Sequence, residues 1–282
     1  MRKIKEGIRS DSLSLSTYYL RLIFKQDERE TELATGTGFM YQHDDYLYLI
    51  TNGHNVTGVN PETSERISSH AGIPNLIKSK ARIRSADSPN MVGTNFFDVD
   101  LYEDFIHMNN PKWYIHPVHG YKVDVIAIPI CSVNDIPKHV LLSPINRYSF
   151  DFNPPEVGDD VFVLGYPFNL NGSQEMPIWK RGSIATEPYF DLDSLPKILI
   201  DTATRPGMSG SPVIFQRIGL IDNYIDENTI SDISIGTIRG FLGIYSGRIG
   251  SKDELQAQLG IVWKKKVIDE IVLGKVLGNT SP

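Results

Sequence analysis

The sequence predicts an all-β chain in two halves of six short strands each, with one helix at the C-terminal end. Three observations predict it. Short apolar runs recur along the chain with turn residues between them. A polar crossover, Ser143 to Asp159, carries three prolines. The last apolar cluster then changes its spacing from that of a strand to that of a helix.

In chain order, Thr17 to Lys25 opens the first half. Thr37 to Gln42 and Tyr46 to Thr51 follow as a hairpin around the polar turn Gln42 to Asp45. Phe96 to Tyr102, Lys112 to His116 and Val123 to Ile130 complete this half, residues 1–145. The second half, residues 146–282, takes Val161 to Tyr166, Ile178 to Thr186, Ile198 to Thr202, Pro212 to Gln216, Thr237 to Tyr245 and Leu259 to Trp263. Val267, Ile268, Ile271 and Val272 share one face of a helix that ends near Gly274. Two stretches read as insertions. Thr57 to Ser88 either frames a cleft or is a plain surface excursion, and Ile218 to Ser234 either caps a site or carries a partner surface.

Composition narrows the function classes. A net charge of −6 argues against a nucleic-acid binder. The basic start, Met1-Arg2-Lys3-Ile4-Lys5, is followed by no continuous apolar run, and Arg21 interrupts the nearest one, Tyr18 to Phe24. Neither a secretory signal nor a membrane span is expected. One cysteine, Cys131, cannot form an internal disulfide and reads as a buried inert thiol. Asn55-Val56-Thr57 is formally a glycosylation sequon, but a glycan there would obstruct a site at His54. The expected location is cytoplasmic.

Three segments carry chemistry. Pro206-Gly207-Met208-Ser209-Gly210-Ser211-Pro212 sets a serine between glycines before an apolar strand, so that the Gly207 and Ser209 amides can turn toward one point and hold an oxyanion. Leu49-Ile50-Thr51-Asn52-Gly53-His54 places a histidine just past a strand end. Tyr121-Lys122-Val123-Asp124-Val125 runs an aspartate into an apolar strand, where a buried carboxylate needs a donor such as an imidazole N–H. An esterase elbow fits poorly, since the serine motif lacks its final glycine and the serine follows the other two residues. His116-Pro117-Val118-His119, with His107 nearby, is a poor zinc signature, and neither a metal nor a cofactor is expected.

The order His54, Asp124, Ser209 resembles that of the trypsin-like (chymotrypsin-fold) serine peptidases. The resemblance extends to Gly36-Thr37-Gly38-Phe39, Val163-Leu164-Gly165-Tyr166-Pro167, Lys180-Arg181-Gly182-Ser183-Ile184 and Gly243-Ile244-Tyr245-Ser246-Gly247. Gly207-Met208-Ser209-Gly210-Ser211-Pro212 is similar to the bacterial stand-alone members and to the HtrA and glutamyl-endopeptidase groups.

That resemblance implies two six-stranded antiparallel Greek-key barrels of chymotrypsin type with a C-terminal helix. The first carries His54 and Asp124, and the second carries Ser209. It implies a serine endopeptidase with a His54/Asp124/Ser209 triad acting on protein or peptide substrates, with a catalytically dormant binding module or a partner-switched peptidase as the alternative. A regulatory protein partner is a further expectation.

Ala203, Thr204, Arg205, Tyr245, Ser246 and Gly247 would line the substrate pocket. Ala203 at its base, where trypsin-type members carry an aspartate, disfavours cleavage after Lys or Arg and favours a small or apolar residue, with an acidic one second through Arg205 or Arg248. Met208 replaces the aspartate that pairs with a freed N-terminus in zymogen-type members. Either Tyr245 or Ser246 takes the place of the family's serine beside the buried aspartate.

Overall fold

The computed structural model describes residues 11–60, 65–66, 72–84, 92–150, 154–203, 205–223, 232–248 and 258–279. Thr204, the side chain of Arg248, and parts of the two expected insertions (61–64, 67–71, 85–88 and 224–231) lie outside the described residues. Short helix α1 (Ser12–Leu15) is capped by Asp11, whose carboxylate accepts the Leu13 N–H at 3.0 Å. The first half then runs β1 (Thr17–Gln26), β2 (Arg29–His43), β3 (Tyr46–Thr51), α2 (Gly53–Thr57), β4 (Leu76–Arg84), β5 (Val92–Asp100), β6 (Tyr102–Asp104), β7 (Asn109–Pro111), β8 (Tyr114–Ile115) and β9 (Ile126–Ser132). The second half supplies β10 (Asp160–Gly165), β11 (Ile178–Ile184), β12 (Lys197–Asp201), β13 (Pro212–Asn223), β14 (Asp232–Arg248), β15 (Leu259–Lys264), α3 (Lys266–Gly274) and β16 (Val276–Leu277).

The second half closes as expected into a six-stranded antiparallel barrel, ordered β10-β11-β12-β15-β14-β13. The first half differs from a six-stranded barrel. It is an eight-stranded sheet ordered β16-β8-β9-β3-β2-β1-β4-β5, with β6 and β7 paired apart from it. Its extra inner strand, β4, comes out of the stretch expected to be an insertion. It pairs with β1 and along the whole of β5. Lys78, Lys80, Arg82 and Arg84 alternate along β4, and on the other face Ile77 is followed by Ser79 and Ala81, so its apolar stripe is too thin to read in sequence. The described ends of the other expected insertion are strand as well: after a register shift between Val213 and Ile214, β13 and β14 stay in register from Ile214↔Phe241 to Asn223↔Asp232. The eighth strand, β16, returns from the C-terminal end to pair with β8.

Among the described residues three apolar clusters hold the molecule. One fills the first half around Tyr18, Leu20, Leu49, Ile77, Trp113 and Ile126, and one fills the barrel around Val161, Val163, Ile200, Met208 and Val213. The third lies on the seam, where Phe39, Tyr41, Ile50, Val125, Leu164, Phe241 and Trp263 meet α3. Strand β3 shows why its run is uninterrupted: Leu49 faces the first cluster while Tyr48 and Ile50 face the seam. Val267, Ile268, Ile271 and Val272 of α3 are fully buried in the seam, each worth about 1.5–3 kcal/mol of transfer free energy. Among the described residues no helix is long and apolar enough to cross a membrane.

Candidate active site

Helix α2 begins two residues after β3 ends, so the buried hairpin fixes where His54 emerges. Asp124 sits in the turn before β9 and is 2% exposed. Its carboxylate receives three donors. His54 N–H reaches Oδ1 at 2.9 Å, His54 Nδ1 lies 2.6 Å from Oδ2, and Ser246 Oγ donates to Oδ2 at 2.5 Å. Asn52 Nδ2 donates to the Asp124 carbonyl oxygen at 2.7 Å and locks the turn to the helix. A carboxylate at Nδ1 requires the proton there, so in the neutral ring Nε2 is the free base. Ser246, and not Tyr245, is the serine beside the aspartate.

The turn that carries Ser209 depends on two glycines. Gly207 has φ +91° and a Cβ there would sit 2.4 Å from the Tyr166 carbonyl oxygen; Gly210 has φ +88° and a Cβ would sit 1.9 Å from the Thr37 carbonyl oxygen. Thr37, at the centre of Gly36-Thr37-Gly38, is the post against which the turn is tied. Its N–H donates to Ser209 O at 2.8 Å, its Oγ1 to Gly207 O at 2.8 Å, and its carbonyl accepts Thr51 Oγ1 at 2.8 Å. Asn55 Nδ2 adds bonds to Thr51 Oγ1 at 2.9 Å and to Ser209 O at 3.4 Å. Sequence reasoning missed Thr37 and Asn55 as site residues; the glycines flanking Thr37 were the available signal for the first.

The orientations of the peptides that carry the Gly207 and Ser209 N–H groups are fixed too. Pro206 O accepts Phe168 N–H at 2.9 Å, and Met208 O accepts Ser211 N–H at 3.0 Å. Across a planar trans peptide the N–H points opposite to its carbonyl, so the Gly207 and Ser209 N–H groups face away from those two acceptors. Met208 itself is wholly buried in the barrel core. Ser209 Oγ lies 3.5 Å from the Ser246 carbonyl oxygen, and Ser209, His54, Gly207 and Pro206 line one pocket of about 250 Å³ together with Leu33 and Pro74.

The other sequence-predicted pocket residues are placed less uniformly. Tyr245 is 2% exposed, its ring against Gly260 and its backbone exchanging bonds with Gly210 N and Ser211 O at 2.9 and 2.8 Å, so it braces the Ser209 turn from the core. Ala203 is half-buried and Arg205 is exposed. A Cβ on Gly247 would meet nothing within 4 Å, which leaves space beside Ser246. Cys131 is half-buried, with burial pushing its thiol up. His116 is not set for a metal: Nε2 donates to Glu270 at 2.7 Å and Nδ1 accepts the Val118 and His119 N–H groups.

A closed six-stranded barrel beside a second antiparallel sheet, with a histidine, an aspartate and a glycine-flanked serine where they meet, defines a peptidase-type all-β molecule. The chain belongs to the trypsin-like peptidase family, whose domain model matches residues 36–220. Among solved structures it is similar to the protease Rv3671c in an inactive form, at 18% identity and a TM-score of 0.45, over 93% of this chain and 89% of that one. It is similar also to an inactive serine-to-alanine mutant of Rv3671c from M. tuberculosis H37Rv, at 18% identity and a TM-score of 0.46, over 93% and 87%. No curated protein matches the chain.

Proposed function

We propose that the chain is a serine endopeptidase in which His54, Asp124 and Ser209 act as a triad and Gly207 and Ser209 supply the oxyanion hole. The single observation that carries this is the two-point hold of Asp124 on His54, through the ring at 2.6 Å and through the backbone at 2.9 Å. A carboxylate holding only the ring would leave its tilt free. Holding the backbone as well fixes the imidazole's position and tautomer together.

In the reaction His54 Nε2 takes the Ser209 hydroxyl proton as Oγ bonds to the substrate carbonyl carbon. The carbonyl oxygen becomes an oxyanion between the Gly207 and Ser209 N–H groups. The imidazolium then gives its proton to the departing amine, leaving an acyl-serine, and water repeats the sequence to release the acid. Asp124 stays ionised and stabilises the positive charge on the imidazolium. Ser209 Oγ lies 3.5 Å from the Ser246 carbonyl oxygen, so the proposed reaction begins with the hydroxyl turning from that carbonyl toward His54. That starting position also supports a second reading, in which substrate or a regulatory protein completes the site.

Substrates are proteins or peptides. The expected pocket residues Ala203 and Gly247 are small and carry no charge, so a small or apolar residue before the scissile bond is expected, and strong cleavage after Lys or Arg in a peptide library would overturn that preference. The triad is tested with a fluorophosphonate probe. The native chain should label and Ser209→Ala should not, while labelling of equal yield in Ser209→Ala would discard this nucleophile.

A further inference from the structure

We propose that a second cavity, enclosed by β1, β4 and the segment 166–175, is a binding site for an oxyanion of carboxylate or phosphate type. The cavity is about 230 Å³, and its charged lining is Arg21, Lys78, Lys80 and Arg82 against the single carboxylate of Glu175. Three of these cations have acidic partners. Arg21 meets Glu32 at 2.6 Å, Lys78 meets Glu30 at 2.7 Å and Lys80 meets Glu175 at 2.5 Å.

Arg82 is different. It is 2% exposed, and its hydrogen bonds go to neutral oxygens: Nη1 to Thr17 O at 3.0 Å, and Nη2 to Tyr166 Oη at 2.9 Å and to the Glu175 backbone carbonyl at 2.5 Å. Among the described residues its buried Nε has no hydrogen-bond partner. Among the described residues no carboxylate is paired with it. Tyr18 offers Arg82 a ring face at 5.8 Å, and burial keeps both neighbouring phenols neutral, pushing Tyr166 up to about 12 and Tyr18 higher, so neither serves as a counter-ion. A buried guanidinium without an opposite charge is costly, and an anion entering the cavity beside it removes that cost. Phe96, with Lys80 Nζ 5.1 Å from its ring centre, and Tyr19 add aromatic wall to the mouth. The same charge and shape accept a free phosphate ion or a carboxylate on a peptide.

The site also bears on the cleft through one residue. Tyr166 has its hydroxyl on Arg82 and its carbonyl pressed against Gly207, and two residues on Phe168 N–H holds Pro206 O. An anion that draws Arg82 or Tyr166 therefore acts on the residue that backs the nucleophile turn.

The test is calorimetric titration of the full chain at constant ionic strength, with inorganic phosphate in one arm and a tetraglutamate peptide in the other. Saturable binding is expected in at least one arm. It should weaken by about tenfold or more in Arg82→Gln and by several-fold in Lys80→Ala, whose side chain is more accessible, while the exposed Arg181→Gln leaves it unchanged. Binding of phosphate alone assigns a free ion, and binding of the peptide alone assigns a carboxylate ligand. No saturation in either arm up to about 10 mM overturns the proposal, as does binding that survives in Lys80→Ala and in a folded Arg82→Gln. Because binding is read without turnover, this result stands apart from the success or failure of the fluorophosphonate test.

Discussion

At the residue scale, Asp124 is the side chain on which the proposed chemistry turns, because one buried carboxylate positions a helix start, a ring and a neighbouring strand at once. Asp124→Asn keeps the shape but puts an amide where the imidazole needs an acceptor, and the His54 tautomer reverses. A fall of about 10⁴-fold in kcat is expected, with the unfolding midpoint little changed. Ser246→Ala removes one donor and leaves His54 in place, so a smaller loss, on the order of tenfold in kcat at constant KM, is expected from steady-state assays. Equal losses in the two variants would mean that Ser246 does more than support the aspartate. The three proposed catalytic positions were legible because each lies in a short local motif whose glycines or apolar neighbours announce it. Whether Tyr245 or Ser246 served Asp124 was not legible, since adjacent strand residues point to opposite faces and only the folded register says which one meets a carboxylate so distant in sequence.

At the element scale, α3 shows a prediction from periodicity that the fold uses in full. Val267, Ile268, Ile271 and Val272 were expected to share a face, and all four are fully buried in the seam between the halves. The polar side is engaged as well, with Tyr41 Oη donating to Asp269 and His116 Nε2 donating to Glu270, both from the first half. Ile271→Ala should therefore cost about 2–5 kcal/mol in a urea unfolding curve, while fluorophosphonate labelling of the folded fraction keeps its rate. A loss below about 1 kcal/mol would show that the seam refills the cavity and is softer than its burial suggests. Strand β4 is the opposite case. Its basic alternation reads as solvent surface, yet Arg82 points inward and β5 covers its edge, so an inner strand was concealed by cations whose partners, Glu30 and Glu175, come from far away in sequence.

At the scale of the whole molecule, the sequence also did not reveal how the two halves meet. Single motifs report their own turn or strand. The seam is made of pairs such as Arg82 with Tyr166 and Tyr41 with Asp269, which lie on different elements and carry no shared local signal. Several of these seam and core groups are phenols held neutral by burial, and this gives the molecule a directional response to alkali. Tyr102 and Tyr166 are each pushed up to about 12, and Tyr18 and Tyr41 are raised further, the last with help from Asp269. In the unfolded chain the same phenols ionise near pH 10, as tyrosine ordinarily does. The folded state thus holds more protons than the unfolded state between these values, and the stability they confer is complete below about pH 10 and is lost as pH rises through about 12. For Tyr166, raised to about 12 and 1% exposed, the gap is worth on the order of 2–3 kcal/mol. The midpoint of thermal unfolding should stay level to about pH 9.5 and then fall steeply, with tyrosinate absorbance rising together with the loss of structure. Tyr166→Phe has no proton to lose there, so it should be less stable at neutral pH yet show a shallower alkaline fall. A fall of unchanged steepness in Tyr166→Phe would assign the alkaline response to other groups.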